Sequence, residues 1–477
     1  DVIAPGTVII SAAGQCANVK NIITPVAKLG GGALYYLDFC QDEFHLGGSS
    51  FAQSQNAIGA NTPSVQNASY FKKAFNLVQE ETKKGTLQAG HDIGSGGLIT
   101  SLLEMCFPST SIGMELDFSD LKEKDLIKLL FSEKPAVIIQ STEDLTSLFQ
   151  KEGISAIKIG AINNSSVLKI DKLTLDIDQL RNSWMATSKA LEKQQTSPSL
   201  AEKRAENIIK QPLQFEFPKH FTGKLPLLKK AKIKAAVLRE KGSNSEREMA
   251  YAMDLVGFEV RDVHMTDLIE GRENLEDIQF LVAVGGFSNS DVLGSAKGWA
   301  GAIKYNERAK AALTNFFNRT DTLSLGVCNG CQLFVELGLL TPADDKKPKM
   351  LHNDSGKFEC IFTAVKIQQT NAIMLKGLEG SKIGIWAAHG EGKFSFPKEE
   401  NHYSIPAKYL YSEYPSNPNG SDYNAAMLST ADGRHLVMMP HLERSTFPWN
   451  WGHYPGKRND KVSPWIMAFE NAVNWLQ

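Results

Sequence analysis

The stretch SLGVCNGCQLFVELG, residues 324–338, decides the architecture of the C-terminal half of the chain. SLGV reads as a short buried strand. CQLFVELG reads as a helix, with apolar residues at 333, 334, 337 and 340. Between them stands Gly326-Val327-Cys328-Asn329-Gly330, a G-x-C-x-G turn that is the cysteine form of a nucleophile elbow. Glycines on both sides permit a tight turn that lifts a side chain above a sheet. A helix starting just beyond Cys328 offers free N–H groups and a positive dipole end, so the thiol pKa is expected below its ordinary value of about 8.5. The N–H of Asn329 is placed to donate to an oxyanion. Two other readings of the CNGC pair stand beside this one: a redox dithiol, and half of a zinc site. The sequence has no second C-x-x-C and no H-x-x-x-H to complete the latter.

A nucleophilic cysteine needs a base, and the base needs a carboxylate to orient it. HLVMMPHLERS provides both, because a buried strand LVMM runs into Pro440-His441-Leu442-Glu443. Two residues apart in extended chain, His441 and Glu443 project to one side. In VAVGGFSNSD, a buried strand ends in Gly285-Gly286, where backbone N–H groups can approach a ligand closely.

Outward from these motifs, an α/β pattern runs from about residue 232 to 477. It comprises KAAVLRE, a helix over SEREMAYAMDLVG, then FEVRDVHM, FLVAVGGF, a helix around NERAKAALTNFF, and SLGV. Parallel strands joined by crossover helices place their sites at the strand C-termini. Residues 1–165 also alternate, with strands expected at GALYYLDF (32–39), SIGMELDF (111–118), KPAVIIQS (134–141) and ISAIKIGAI (154–162). A helix is expected over 69–85, stopping at Gly85, and two more are expected behind Asp120 and Ser141 as N-caps. AGHDIGSGGLITSLLEMCF (89–107) reads as a helix start in which Asp92 precedes a glycine pair, a pattern that suits a Mg²⁺-nucleotide phosphate site or a plain capped helix. Residues 166–231 are polar, helix-favouring and broken at Pro198, then proline-rich and basic. They read as an exposed helical linker with an extended arm.

With 477 residues the chain is expected to hold two to three domains. A formal charge of −2 gives no basic field for nucleic acid, and no apolar run approaches membrane-spanning length. Six scattered cysteines are no disulfide framework and suit a reducing compartment, with the cytoplasm as the expected setting.

GVCNGCQ, GGFS, AAHGEGKF and MMPHLERS together resemble the class I (triad) glutamine amidotransferases, and in detail the domain that closes the phosphoribosylformylglycinamidine synthase family. APGTVIISA, LGGSSFAQ and the HDIGSGGL segment resemble the C-terminal lobe of that family's second aminoimidazole-ribonucleotide-synthetase-like half. The resemblance implies a doubly wound α/β amidotransferase domain (232–477) preceded by an α+β synthetase-like lobe (1–165) and a linker (166–231). It implies Cys328 as nucleophile, His441 as base and Glu443 as orienter, with Gly286, Phe287 and Asn329 around an oxyanion hole. Gln332, His389 and Gly390 fall near the glutamine. It further implies an ATP-dependent ligase of purine biosynthesis, with formylglycinamide ribonucleotide, glutamine and ATP as substrates. Mg²⁺ and ATP or ADP would be the cofactors, and Asp92 a ligand of an auxiliary Mg-nucleotide site. The chain would be the C-terminal part of a longer enzyme whose N-terminal part is its partner. Three departures stand out: GGFSNSD where the family commonly has GGFSYGD, PHLER where PHPER is usual, and HDIGSGGL where it has HDRSDGGL.

Overall fold

The computed structural model describes residues 9–16, 18, 21–226, 232–456 and 458–477. The chain divides into two compact units, Asp1–Thr187 and Ser188–Gln477.

The first unit is a seven-stranded sheet of β1 (Ala33–Asp38), β2 (Leu87–Asp92), β3 (Gly113–Leu116), β4 (Ala136–Ser141), β5 (Ala156–Asn163), β6 (Val167–Ile170) and β7 (Leu173–Asp176). The strand order is β2-β4-β1-β5-β3-β6-β7, and only the β3–β6 pair is parallel. Side chains alternate across the sheet, so Leu34 and Tyr36 enter one core while Tyr35 and Leu37 enter another. Helices Gly97–Cys106 and Leu126–Phe131 cover the first face; Ala68–Lys84 and Leu145–Lys151 cover the second. Gly85, with φ 77°, ends the helix Ala68–Lys84 as its spacing predicts.

The structure corrects several expectations in this unit. The N-caps are Asp125 and Asp144, whose carboxylates accept from Ile127 N and Thr146 N, and not Asp120 and Ser141. Ser141 instead ends β4 and donates its hydroxyl to Thr86 O. Residues 167–176 pair into the sheet as β6 and β7, so the polar connection does not begin at 166. The arm is not free either. Within the second unit, helix Pro198–Asn207 sends Arg204 to Glu359 at 3.0 Å, and Phe215 and Phe217 pack edge-on to Trp451.

The second unit contains β8 (Lys234–Arg239), β9 (Glu259–His264), β10 (Phe280–Ala283), β11 (Leu323–Val327), β12 (Lys349–Leu351), β13 (Glu359–Ile367), β14 (Lys382–His389), β15 (Lys393–Ser395), β16 (Ala407–Tyr409), β17 (Met427–Ser429) and β18 (His435–Met438). Six of them form the central sheet in the order β17-β18-β11-β10-β8-β9, parallel except for the edge strand β17. β10, β11 and β18 are buried at every position, as expected of strands covered on both faces. From β8 the chain goes outward to β9 and then returns to add β10 on the opposite side. This reversal makes a doubly wound sheet with its switch point between β8 and β10, where the loops beyond the strand C-termini part to leave a crevice. The remaining strands build a three-stranded sheet, β14-β13-β16, and the pair β12-β15.

Candidate active site

Three adjacent strands deliver the site. β10 ends just before Gly285-Gly286, β11 ends just before Cys328, and β18 leads through Met439-Pro440 to His441. Cys328 holds φ 52° and ψ −104°, outside the ordinary regions for an L residue. Packing enforces this: a Cβ on Gly330 would run into Ala283 O, and one on Gly326 would meet Gly330 O at 2.7 Å. The elbow is therefore pressed against β10, with Cys328 N–H donated to Met438 O at 2.8 Å. Cys328 is 5% exposed, whereas Cys331, one turn on, is fully buried. Burial drives the Cys331 thiol well above its usual pKa, and the neighbouring Cys328 adds to the effect. Only one sulfur of the pair lines the cavity, which leaves the redox reading of CNGC without an accessible second thiol.

His441 and Glu443 are enclosed together, with His441 Nδ1 2.6 Å from Glu443 Oε1. Burial by itself would lower the imidazole pKa; the Glu443 charge and a hydrogen bond with Cys328 outweigh it and raise it. Burial would raise the Glu443 carboxyl, but His441 holds it below the usual carboxylate range. His441 N–H donates to Trp386 O at 2.7 Å, fixing the post-strand loop to β14. A Cβ on Gly285 would meet His441 Cε1 at 2.8 Å and Cys328 Cβ at 3.4 Å, so only glycine lets the imidazole and the thiol close over this backbone.

The amide donors divide unevenly. Phe287 lines the cavity with its ring, but its N–H is already donated to Gly242 O at 2.8 Å. It therefore brings no free donor, contrary to the expectation for an oxyanion hole of Gly286, Phe287 and Asn329. Gly286 (φ 123°) and Asn329, the first residue of helix Asn329–Glu336, carry the backbone amides flanking the thiol. Gln332 lines the cavity with Nε2 donated to Glu391 O at 2.7 Å and Oε1 accepting from Asn329 Nδ2 at 3.0 Å. His389 and Gly390 line it as well. Burial pushes the His389 imidazole down to about 3, so it stays neutral, held between Asn353 and Asn419. The cavity encloses about 280 Å³. Asn244, Asp291, Lys357, Glu391 and Arg444 also line it, and sequence reading singled out none of them.

Asp92 lies in the first unit, at the end of β2, with its side chain 84% exposed. The helix N-terminus beside it is already served by an acid: Glu133 Oε1 accepts from Gly96 N at 2.9 Å and from Ser50 N at 2.7 Å. Among the described residues no group of three or more His, Cys, Asp or Glu could hold a metal ion. Asp92 alone does not make a Mg²⁺ site in this lobe. Among the described residues, too, no helix is long and apolar enough to cross a membrane.

Residues 232–476 match the CobB/CobQ-like glutamine amidotransferase domain. The chain belongs to this amidotransferase family. Residues 31–172 match the C-terminal domain of AIR synthase related proteins. The chain is 38% identical over 509 residues to a probable phosphoribosylformylglycinamidine synthase, chloroplastic/mitochondrial, of Arabidopsis thaliana, covering 99% of this chain and 36% of that one. It is 35% identical over 521 residues to the human phosphoribosylformylglycinamidine synthase, covering 99% and 38%. It thus spans well under half the length of these relatives. A solved structure of PurLQS from Thermotoga maritima shares 27% identity, with 52% of this chain and 100% of that one covered and a TM-score of 0.41. An amidotransferase assignment favours the thiol–imidazole–carboxylate reading of Cys328 over a redox dithiol.

Proposed function

We propose that this chain is the glutamine-hydrolysing portion of a phosphoribosylformylglycinamidine synthase. The observation that carries the reading is Cys328, on a strained elbow, lining one cavity with His441, whose imidazole is paired with the buried Glu443. The Cys328 thiolate attacks the side-chain amide carbon of glutamine, and the new oxyanion lies against the amides of Gly286 and Asn329. The C–N bond breaks as His441 gives its proton to the leaving ammonia. His441 then takes a proton from water, which attacks the γ-glutamyl thioester; the C–S bond breaks and glutamate leaves. Glu443 holds the imidazole in orientation and offsets its charge.

In the whole enzyme the ammonia would replace the amide oxygen of formylglycinamide ribonucleotide, with ATP activating that oxygen and ADP and phosphate released. Mg²⁺ and ATP serve that second reaction, and no step of it is routed through Asp92. The names of the relatives support this part of the reading, and the unpaired cysteines suit a cytoplasmic setting. The test is glutamate release from L-glutamine by the purified chain, with Cys328→Ala as control. Release no greater than that of the control would overturn the proposal.

A further inference from the structure

Beside the thiol, the cavity carries two acids for which glutamine hydrolysis as just described has no use. Asp291 and Glu391 both line it with Cys328, Gln332 and His441. One serine ties them together: Ser295 Oγ donates to Asp291 Oδ2 at 3.0 Å, and Ser295 N–H donates to Glu391 Oε2 at 3.3 Å. The other oxygen of Asp291, Oδ1, is buried without a hydrogen-bond partner. A buried carboxylate oxygen left unpaired is costly unless something fills the place.

The nearby cations are committed elsewhere. Lys357 pairs with Glu192 at 2.5 Å, and Arg444 donates to Asn244 Oδ1 at 2.6 Å. His352, 82% exposed, stands 4.0 Å from Glu391 Oε1 and is the one basic side chain in ion-pair range of either acid among the described residues. Burial and the neighbouring Glu391 hold the Asp291 carboxyl above the usual range, as expected of negative charge without a counterion. The backbone is strained to create this arrangement: Asn289, Ser290 and Asp291 take φ of 53°, 57° and 50° in succession.

We infer that Asp291, with Glu391 behind it, is the subsite for the α-ammonium group of the amino-acid substrate. This rests on the glutaminase reading and adds to it the determinant that tells an α-amino acid from a simple amide. A substrate amine bearing three N–H donors would satisfy Asp291 Oδ1 and neutralise the pair.

The test compares L-glutamine with glutaramate, which has the same carboxamide and carboxylate but no α-amino group. Wild type, Asp291→Asn and Glu391→Gln are assayed for kcat and KM on both. Protection of Cys328 from iodoacetamide gives an independent measure of binding. Asp291→Asn is expected to raise the KM for glutamine and weaken its protection by about 10- to 100-fold. Its constants for glutaramate should stay within about twofold of wild type, with kcat for glutamine little altered. Glu391→Gln should shift glutamine in the same direction by less, which shows the effect through a second, independently folded variant. An active wild type with a glutamine KM unmoved by Asp291→Asn would overturn the subsite alone. A wild type that neither hydrolyses glutamine nor is protected by it would overturn the glutaminase reading and the subsite with it.

Discussion

His441 Nδ1 and Glu443 Oε1 stand 2.6 Å apart with both side chains enclosed, 2% and 3% exposed. Each charge is tolerable there because of the other. Replacing Glu443 by Gln leaves the base but removes the charge that stabilises the imidazolium. Glutaminase kcat is expected to fall about a hundred- to ten-thousandfold, and His441→Ala at least as far. Wild-type rates in both variants would show that the base lies elsewhere.

The same pair sets a pH window for stability. Glu443 lies below its ordinary value of 4.5, so its contribution is present above that pH and is lost as pH falls through the lowered value. His441 lies above its ordinary 6.5, so its contribution is present below that pH and is lost as pH rises through the raised value. The stability difference between wild type and Glu443→Gln should therefore be largest between pH 4.5 and 6.5. Urea midpoints measured across pH would check it; a difference independent of pH would contradict the mutual stabilisation.

Cys328 and Cys331 should separate cleanly. Cys328→Ala is expected to abolish glutamate release. Cys331→Ala removes a fully buried sulfur, costs about 1 kcal/mol of stability and keeps most activity. A glutamine-analogue chloroketone should label Cys328, as mapped by peptide mass spectrometry. Label on Cys331 would reverse the assignment.

Much of this site was legible in the sequence because its signals are local. A G-x-C-x-G turn after a short buried strand, and His441 two residues before Glu443 beyond LVMM, are statements about one stretch of chain each. What the sequence hid depends on distant packing. The Phe287 N–H is consumed by Gly242, 45 positions earlier in the chain, and no local pattern shows that. Asp291, the last of three successive positive-φ residues, meets Glu391, 100 positions later in the chain, through the Ser295 they share. β2 was missed because Gly90, His91 and Asp92 interrupt its apolar alternation, although the chain pairs them with β4 all the same. Residues 167–176 read as the start of a polar linker because β7 is an exposed edge strand with little apolar signal.

Gly330 should tolerate nothing larger. The helix Asn329–Glu336 and β10 approach so closely there that a methyl group meets Ala283 O. Gly330→Ala is expected to cost about 3 kcal/mol and to displace the elbow, with loss of glutaminase activity. Full activity with an unchanged thermal midpoint would mean that the elbow is not packed against β10.

Ser290 offers the opposite change. It holds φ 57° where the GGFSYGD pattern has glycine, a conformation that costs a β-carbon about 1 kcal/mol. Ser290→Gly should stabilise the second unit by about 0.5 kcal/mol after the entropy that glycine adds to the unfolded chain. Denaturant titration would show it, and a loss of stability would mean that the loop is held by the serine.

Glu133, finally, should act as the resident anion of the first unit. Burial alone would raise its carboxyl, but the N–H groups of Ser50 and Gly96 hold it below the usual carboxylate range. A carboxylate shared by two backbone amides does locally what a bound phosphate does, satisfying donors at a helix start that would otherwise face inward unpaired. Glu133→Ala is expected to destabilise this unit by about 2 kcal/mol and to speed hydrogen exchange at the Ser50 and Gly96 amides. Asp92, with its exposed side chain, carries no such load, so Asp92→Asn should leave both quantities unchanged. Millimolar Mg-ADP should not slow exchange at those two amides in the wild type, since Glu133 already occupies them. Protection by Mg-ADP that disappears in Asp92→Asn would show that the lobe holds a nucleotide after all, with Asp92 at its metal.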